Sequence, residues 1–466
     1  MASKFRIEHD SLGDKRVPSS VYYGVQTQRA VENYPISGLR EHRIFIDSYV
    51  YLKKCAALTN KELGVLSTVK ADAIIKACNE ILSGKFRDEF IVDVFQAGAG
   101  TSFNMNINEV IANRATELLG GEKGAYKFVN PNDDVNMSQS TNDTFPTAIR
   151  LASIAAIQEL LPSLTMLNAA LAKKAKEWDK IIKSGRTHLE DATPIRLGQE
   201  FGGYAEAVKK HIARINDTAK ELGELGIGGT AVGTGLNAHP KYRTVVVKHL
   251  RKQMGFSLRP AKNYFEAMQS MAPFVILSSA LKNFALDTIR IANDLRLLNS
   301  GPTTGLKEIT LPAVQPGSSI MPGKVNPSMA EMMDMICFQV IGSDTTIALA
   351  AQAGQLELNV MMPVIAFNLM FMMEILKNGV HMFTKKCVEG IVADTKRCEE
   401  YAHKSASVVT ALNPIIGYAK AAEIAKEAVA KGKTVREIVL ERNILTAKQF
   451  DHAVQLVKLT EPGIRE

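Results

Sequence analysis

The sequence predicts a mostly α-helical protein built around a bundle of long helices. Three observations carry that expectation. Five segments hold apolar residues at helical spacing over many turns, within 146–178, 201–222, 277–298, 328–353 and 359–388. The 46% of hydrophobic residues includes only 6% aromatics but 18 Met, an aliphatic core that suits packed helices better than a β-sandwich. Finally, the segments 328–353 and 359–375 carry so few charges that they read as buried on every side.

The first part of the chain, residues 1–140, reads as a mixed but largely helical domain. Helices are expected at 45–63 and 68–84, with loops or short strands at Tyr22-Tyr23-Gly24 and Pro35-Ile36-Ser37-Gly38. The central part, 141–390, is the long-helix domain. Phe201, Tyr204, Val208, Ile212, Ile215, Ala219 and Leu222 form one apolar stripe. Leu277, Leu281, Phe284, Thr288, Ile291, Leu295 and Leu298 form a second, stopped by Asn299-Ser300-Gly301-Pro302. Helices of about 30 residues run about 45 Å. A lone five-helix bundle should show water-facing sides, so the bundle is expected to be covered by other subunits. Residues 391–466 turn polar and read as a small helical C-terminal domain.

Charge and cysteine content exclude several classes. The net charge of +8 is dispersed, and clusters such as Lys173-Lys174 and Lys385-Lys386 have acids beside them, so no nucleic-acid stripe is expected. The five cysteines are scattered without a Cys-x-x-Cys pair, which argues against structural zinc or a disulfide framework. The N-terminus lacks a secretory apolar region, and the most apolar run, Val360–Met373, stops at Glu374, short of the ~20 residues that cross a bilayer. No membrane partner is expected, and the compartment reads as cytoplasmic.

Four stretches rich in Gly, Ser, Thr and Asn interrupt the helical texture: 98–106, 130–143, Ser184–Asp191 and Gly317–Pro327. Each is expected to precede a helix, whose free N–H groups suit anions. N-capping accounts for one such residue per helix, not for runs like Ser140-Thr141-Asn142. Gly317–Val325 is not a phosphate loop, since five residues separate its glycines and Val325 follows Lys324. Gly226–Gly235 follows a helix and lacks a dinucleotide-binding context. His188 stands out among the histidines for its polar neighbours Arg186, Thr187 and Asp191.

The loop Gly317-Ser-Ser-Ile-Met-Pro-Gly-Lys-Val-Asn-Pro327 resembles the signature loop of the fumarase/aspartase superfamily. The likeness extends from Tyr22-Tyr23-Gly24 through Gly229–Asn237 to Ala411–Pro414. It implies a three-domain, mostly α subunit. Five central helices from each of four subunits would make a twenty-helix core, in a homotetramer whose active sites each draw on three subunits. The implied reaction is cofactor-free anti elimination from a small dicarboxylate, giving fumarate, with no metal ligands expected among the site residues.

Matched residue by residue, the resemblance implies Ser318 as the base, acting as an alkoxide helped by backbone N–H groups of Gly317–Met321. It implies Lys324 and Asn326 at one carboxylate, and Thr101, Ser140, Thr141, Thr187 and Ser319 at the other, which becomes an aci-carboxylate. Asn142 and His188 match groups near the leaving group, and Glu331 the acid that orients and charges His188. Within the superfamily, Gly98-Ala99-Gly100-Thr101, Ser102, Ser140-Thr141-Asn142-Asp143, Asn130 and Tyr22–Val25 are aspartase-like. Asp133–Asn136, Leu236–Pro240 and Gly417–Ala425 are fumarase-like. The site positions favour ammonia elimination from L-aspartate, with hydration of fumarate as the alternative. Thr303 stands where both branches usually carry Arg. A non-catalytic use of the scaffold, as in lens-crystallin relatives, is the reading from a different class.

Overall fold

The computed structural model describes residues 4–464. It is mostly helical, with 17 α-helices among the described residues and four sheets of two strands each. The five expected long helices are Thr141–Glu177, Leu197–Leu222, Ala272–Leu298, Ser328–Gln352 and Met362–Lys386. The second stripe is buried along its whole length, from Leu277 to Leu298. The chain divides into two compact units, and each of the five divisions falls inside one of these helices. One unit comprises the chain up to Leu161, Ala213–Ala285 and Phe338–Lys377; the other comprises Pro162–Ile212, Leu286–Cys337 and the chain from Asn378.

In the first unit, the helices Arg43–Glu62, Thr68–Leu82 and Thr101–Leu118 pack in sequence, close to the boundaries expected for the first two. Their core is an aromatic cluster, Phe45, Tyr49, Phe103 and Phe145, with ring centroids 5.1–6.0 Å apart. Each fully buried ring contributes on the order of 1.5–3 kcal/mol. A hairpin, Phe5–Asp10 with Gly13–Pro18, was not foreseen in the sequence.

In the second unit, a hairpin of Ile182–Thr187 and Glu190–Arg196 leads into Leu197–Leu222. This corrects the expectation that Ser184–Asp191 directly precedes a helix. The C-terminal helices have a core of their own, including Leu412, Ile424, Ile438, Val439 and Phe450. The cysteines are buried free thiols.

The apolar run beginning near Val360 stops at Glu374, while its helix continues to Lys386, as the 359–388 periodicity predicts. By length and composition alone, Met362–Gly390 and Thr141–Glu177 could each cross a bilayer, but half or more of each apolar window is buried within the protein. A buried core helix has the same composition.

Candidate active site

The candidate residues fall into two groups, one in each compact unit. In the first, Thr101 opens the helix Thr101–Leu118 directly after a tight turn, Gly98–Gly100. Gly100 has φ 83°, and a Cβ there would overlap the Phe145 ring, so the turn needs glycine. The Ala99 N–H donates to the Val360 carbonyl at 2.8 Å, which pins the turn. Thr101 is exposed, beside a cavity of about 560 Å³ that Ser102, Arg29, Glu109, Tyr126 and Asn130 also line.

Ser140, Thr141 and Asn142 form the start of Thr141–Glu177. Ser140 Oγ accepts the Asn142 N–H at 3.2 Å while Asp143 Oδ1 accepts the Ser140 N–H at 3.0 Å. This reciprocal arrangement fixes the helix N-terminus as a capping box does. Behind it lies a buried polar network. Asn104 Nδ2 donates to Thr141 Oγ1 at 2.9 Å, and Tyr49 joins Asn104 and Thr144. Lys53 Nζ donates to Asn136 Oδ1 and Gln139 Oε1, and Asn136 Oδ1 also accepts from Asn104 and Asn108. Asn104 thus occupies one lone pair of the buried Thr141 hydroxyl, whose O–H remains free to donate. Asn142 is the converse: its Nδ2 donates to the Ala231 carbonyl at 2.8 Å, leaving its carbonyl oxygen as the free end. Asp143 and Lys53 are both fully buried; desolvation pushes the carboxyl up and the ammonium down, opposed in each case by the other's charge.

In the second unit, His188 and Leu189 are the two central residues of the hairpin, with φ 58° and 63°. A two-residue turn of this kind favours Asn-Gly, because both positions need positive φ. Non-glycine residues held there carry strain of order 1–3 kcal/mol each, and such outliers cluster at functional sites. The hairpin is anchored by a buried ion cluster. Glu308 accepts from Arg186 at 2.9 Å and pairs with Lys183 at 3.1 Å, while Lys183 also binds Glu200 at 2.9 Å. Thr187 and His188 are exposed at its tip.

The loop Gly317–Pro327 is closed on itself. The Asn326 side-chain amide donates to the Gly317 carbonyl, and a Cβ on Gly317 would overlap Lys324 O and Asn326 N. Inside it, Ser318 Oγ accepts the N–H of Met321 at 2.9 Å and of Ile320 at 3.3 Å. Two backbone donors on one hydroxyl oxygen are what a developing alkoxide requires. Ser319 and Lys324 are exposed, and Glu331 lies in the first turn of Ser328–Gln352. Within one chain, Glu331 forms no ion pair with His188, and no hydrogen bond joins Thr187 or His188 to the loop. Thr303 is exposed in the turn between Ser300 and Gly305. The sequence reading missed Asn104, Lys53 and Glu308. Asn104 lay inside the flagged 98–106 stretch, whereas nothing local marks the other two. No group of three or more His, Cys, Asp or Glu suited to a metal ion occurs among the described residues.

A helical subunit with a serine oxygen cradled by backbone amides, a lysine on the same loop and Thr/Ser/Asn hydrogen-bonding groups at a helix N-terminus belongs to the lyases. The family profile described as Lyase matches residues 13–342, and that described as Fumarase C C-terminus matches 408–461. The chain belongs to the fumarase/aspartase superfamily. The aspartate ammonia-lyase of Bacillus subtilis (strain 168) is 50% identical over 461 residues, 99% of this chain and 97% of that protein. The aspartate ammonia-lyase of Escherichia coli (strain K12) is 45% identical over 468 residues, 100% of this chain and 98% of its own length. A fumarate hydratase class II 2 of Bradyrhizobium diazoefficiens is 48% identical over 459 residues, 98% of this chain and 97% of its own. Among solved structures, the Brucella melitensis fumarate lyase:delta crystallin bound to cobalt has a TM-score of 0.95 at 45% identity, covering 98% of this chain and 100% of that one. The class II fumarase from Schistosoma mansoni has a TM-score of 0.94 at 38% identity, covering 98% and 99%.

Proposed function

We propose that this chain is an aspartate ammonia-lyase, catalysing reversible anti elimination of ammonia from L-aspartate to give fumarate. The observation that carries the chemistry is Ser318 Oγ accepting the Ile320 and Met321 N–H groups. As an alkoxide, Ser318 takes the proton from the carbon next to one carboxylate. That carboxylate becomes a dianionic aci-carboxylate, held by Thr101, Ser140, Thr141, Thr187 and Ser319. Donors aimed there stabilise the intermediate more than the substrate. The electron pair then forms the double bond as the neighbouring C–N bond breaks, and ammonia leaves beside Asn142 and His188. Lys324 and Asn326 hold the second carboxylate, and Glu331 of one subunit orients His188 of another.

The substrate choice rests on the aspartate ammonia-lyase relatives and on the aspartase-like residues at the site. Hydration of fumarate is the second reading, favoured by the Bradyrhizobium relative. In this reading the chain is organised as 1–140, 141–390 and 391–466, and works in the cytoplasm as a homotetramer without a cofactor. Incubating the purified protein separately with L-aspartate and L-malate, while following fumarate absorbance and released ammonia, tests it. Equimolar ammonia and fumarate from L-aspartate are expected; fumarate from L-malate alone assigns the hydratase.

A further inference from the structure

Asp143 sits one residue beyond the candidate triplet Ser140-Thr141-Asn142, and the activity proposed above gives it no role. Its side chain is fully buried, yet it is a hub. Oδ1 accepts the Ser140 N–H, while Oδ2 accepts the N–H groups of both Gly228 and Thr230 at 2.9 Å. One carboxylate thereby ties the helix N-terminus to a segment 85 residues away in sequence. The next residue of that segment, Ala231, supplies the carbonyl that takes the Asn142 amide N–H. Thr230 has φ 55° and Gly228 φ 90°, conformations that these contacts hold.

The consequence is chemical. A free asparagine side chain can turn either its donor or its acceptor toward a ligand. Here the Ala231 carbonyl, an obligate acceptor, captures the NH₂ end. With one N–H so held, the amide plane is fixed and the Asn142 carbonyl oxygen is turned away from Ala231, where it stands as the acceptor end of the side chain. An oxygen acceptor suits an ammonium, which has three N–H donors and no lone pair, better than it suits a species that needs to receive a proton.

Resting on the ammonia-lyase reading, we propose that Asp143 is a positioning residue that sets the polarity of Asn142. By stapling Ser140 to Gly228 and Thr230, it keeps the Ala231 carbonyl where it forces the Asn142 oxygen toward the leaving group. The charge on Asp143 matters, because three N–H donors converge on two oxygens and a neutral amide would turn a donor toward one of them. Burial raises the Asp143 carboxyl to about 7, while the Ser140, Thr230 and Gly228 N–H groups and the buried Lys53 ammonium favour the charged form against it.

The test is a double-mutant cycle on the intact protein, with Asp143→Asn and Asn142→Ala alone and together, read as kcat/KM for L-aspartate. Asp143→Asn is expected to lower kcat/KM about 30-fold or more in the wild-type background, but less than about 3-fold once Asn142 is already Ala, because neighbours that act through one another are non-additive. A purely structural role would give the same loss in both backgrounds and overturns the proposal, as does an unchanged single variant. Melting temperature and oligomeric mass are measured for each variant. If Asp143→Asn does not assemble, Lys53→Gln, which keeps a donor and removes the counter-charge, is put through the same cycle, with the same non-additivity expected. Wild-type preference for L-malate over L-aspartate overturns the activity reading instead, and the cycle run on L-malate still reports whether Asp143 acts through Asn142.

Discussion

Ser318 Oγ and the Met321 backbone N–H lie 2.9 Å apart across a three-residue step of one loop. That contact places a backbone donor of the loop directly on the oxygen proposed as the base. It also explains why Gly317 has no room for a side chain: the turn that brings the amides under Ser318 passes against the Lys324 carbonyl and the Asn326 nitrogen.

Ser318→Ala removes the group proposed to take the proton and leaves the residues proposed to hold the carboxylates untouched. Turnover should fall by about 10²–10⁴-fold or more, with KM changed little. Lys324→Ala, in contrast, removes the proposed charge-assisted contact to a carboxylate and should raise KM as well. Steady-state kinetics of the two variants distinguish the roles, and an active Ser318→Ala enzyme would falsify the mechanism.

Assembly is the second expectation. Met335, Phe338 and Leu349 on the helix Ser328–Gln352 are 63%, 58% and 61% exposed within one chain. Large apolar residues in such number along one helix call for a covering surface. Light scattering should give about four times the 50.9 kDa of one chain. Mixing inactive Ser318→Ala and His188→Ala proteins should restore part of the activity if sites draw on different subunits. Proven hybrids without activity count against composite sites.

How much of this could be read from the chain alone follows from the range of each signal. The five long helices announced themselves because a 3.6-residue period repeats within each segment, as from Leu277 to Leu298. The hairpin carrying His188 did not. Its strands lack clean alternation, and His188-Leu189 is a poor turn pair by composition, held instead by Glu308, more than a hundred residues downstream. The Ser318 loop was legible as a motif, and its need for backbone donors followed from chemistry; which amides would serve did not. Lys53 and Asp143 were invisible as partners, since their environments are built from segments that meet only on folding.

A buried carboxyl supplies a prediction about stability and pH. Burial and the nearby charge of Asp93 push Glu41 up from 4.5 to about 8. Folded protein thus keeps this proton between pH 4.5 and about 8, whereas unfolded chain releases it. Stability from this group is full below pH 4.5, declines as pH rises through that window, and is lost above about 8. Glu41→Gln keeps an oxygen to accept from Gln96, which donates to Glu41 at 3.3 Å. The variant should melt higher than wild type at pH 8.5, with the gap closing toward pH 4.5. Parallel melting curves against pH would show the residue to be ionised in the folded state throughout.

The last prediction concerns the leaving group. Elimination from L-aspartate and from L-malate shares the proton abstraction and the product, so only the departing group distinguishes them. An ammonium leaves as ammonia without receiving a proton, but it needs acceptors around it. A hydroxyl needs an acid. In the proposed site Asn142, with one amide N–H held by Ala231, turns its oxygen to that end as an acceptor, and the exposed Thr101 hydroxyl adds an oxygen. Among the described residues, His188 forms no ion pair with an acid of its own chain. Formation of fumarate from L-aspartate should therefore exceed that from L-malate by about 100-fold or more in kcat/KM, about 2.7 kcal/mol of discrimination. Asn142→Ala should narrow that ratio by lowering the L-aspartate rate more than the L-malate rate. Initial rates at the fumarate absorbance for both substrates and both proteins decide it, and a ratio that Asn142→Ala leaves unchanged removes Asn142 from the recognition of the amine.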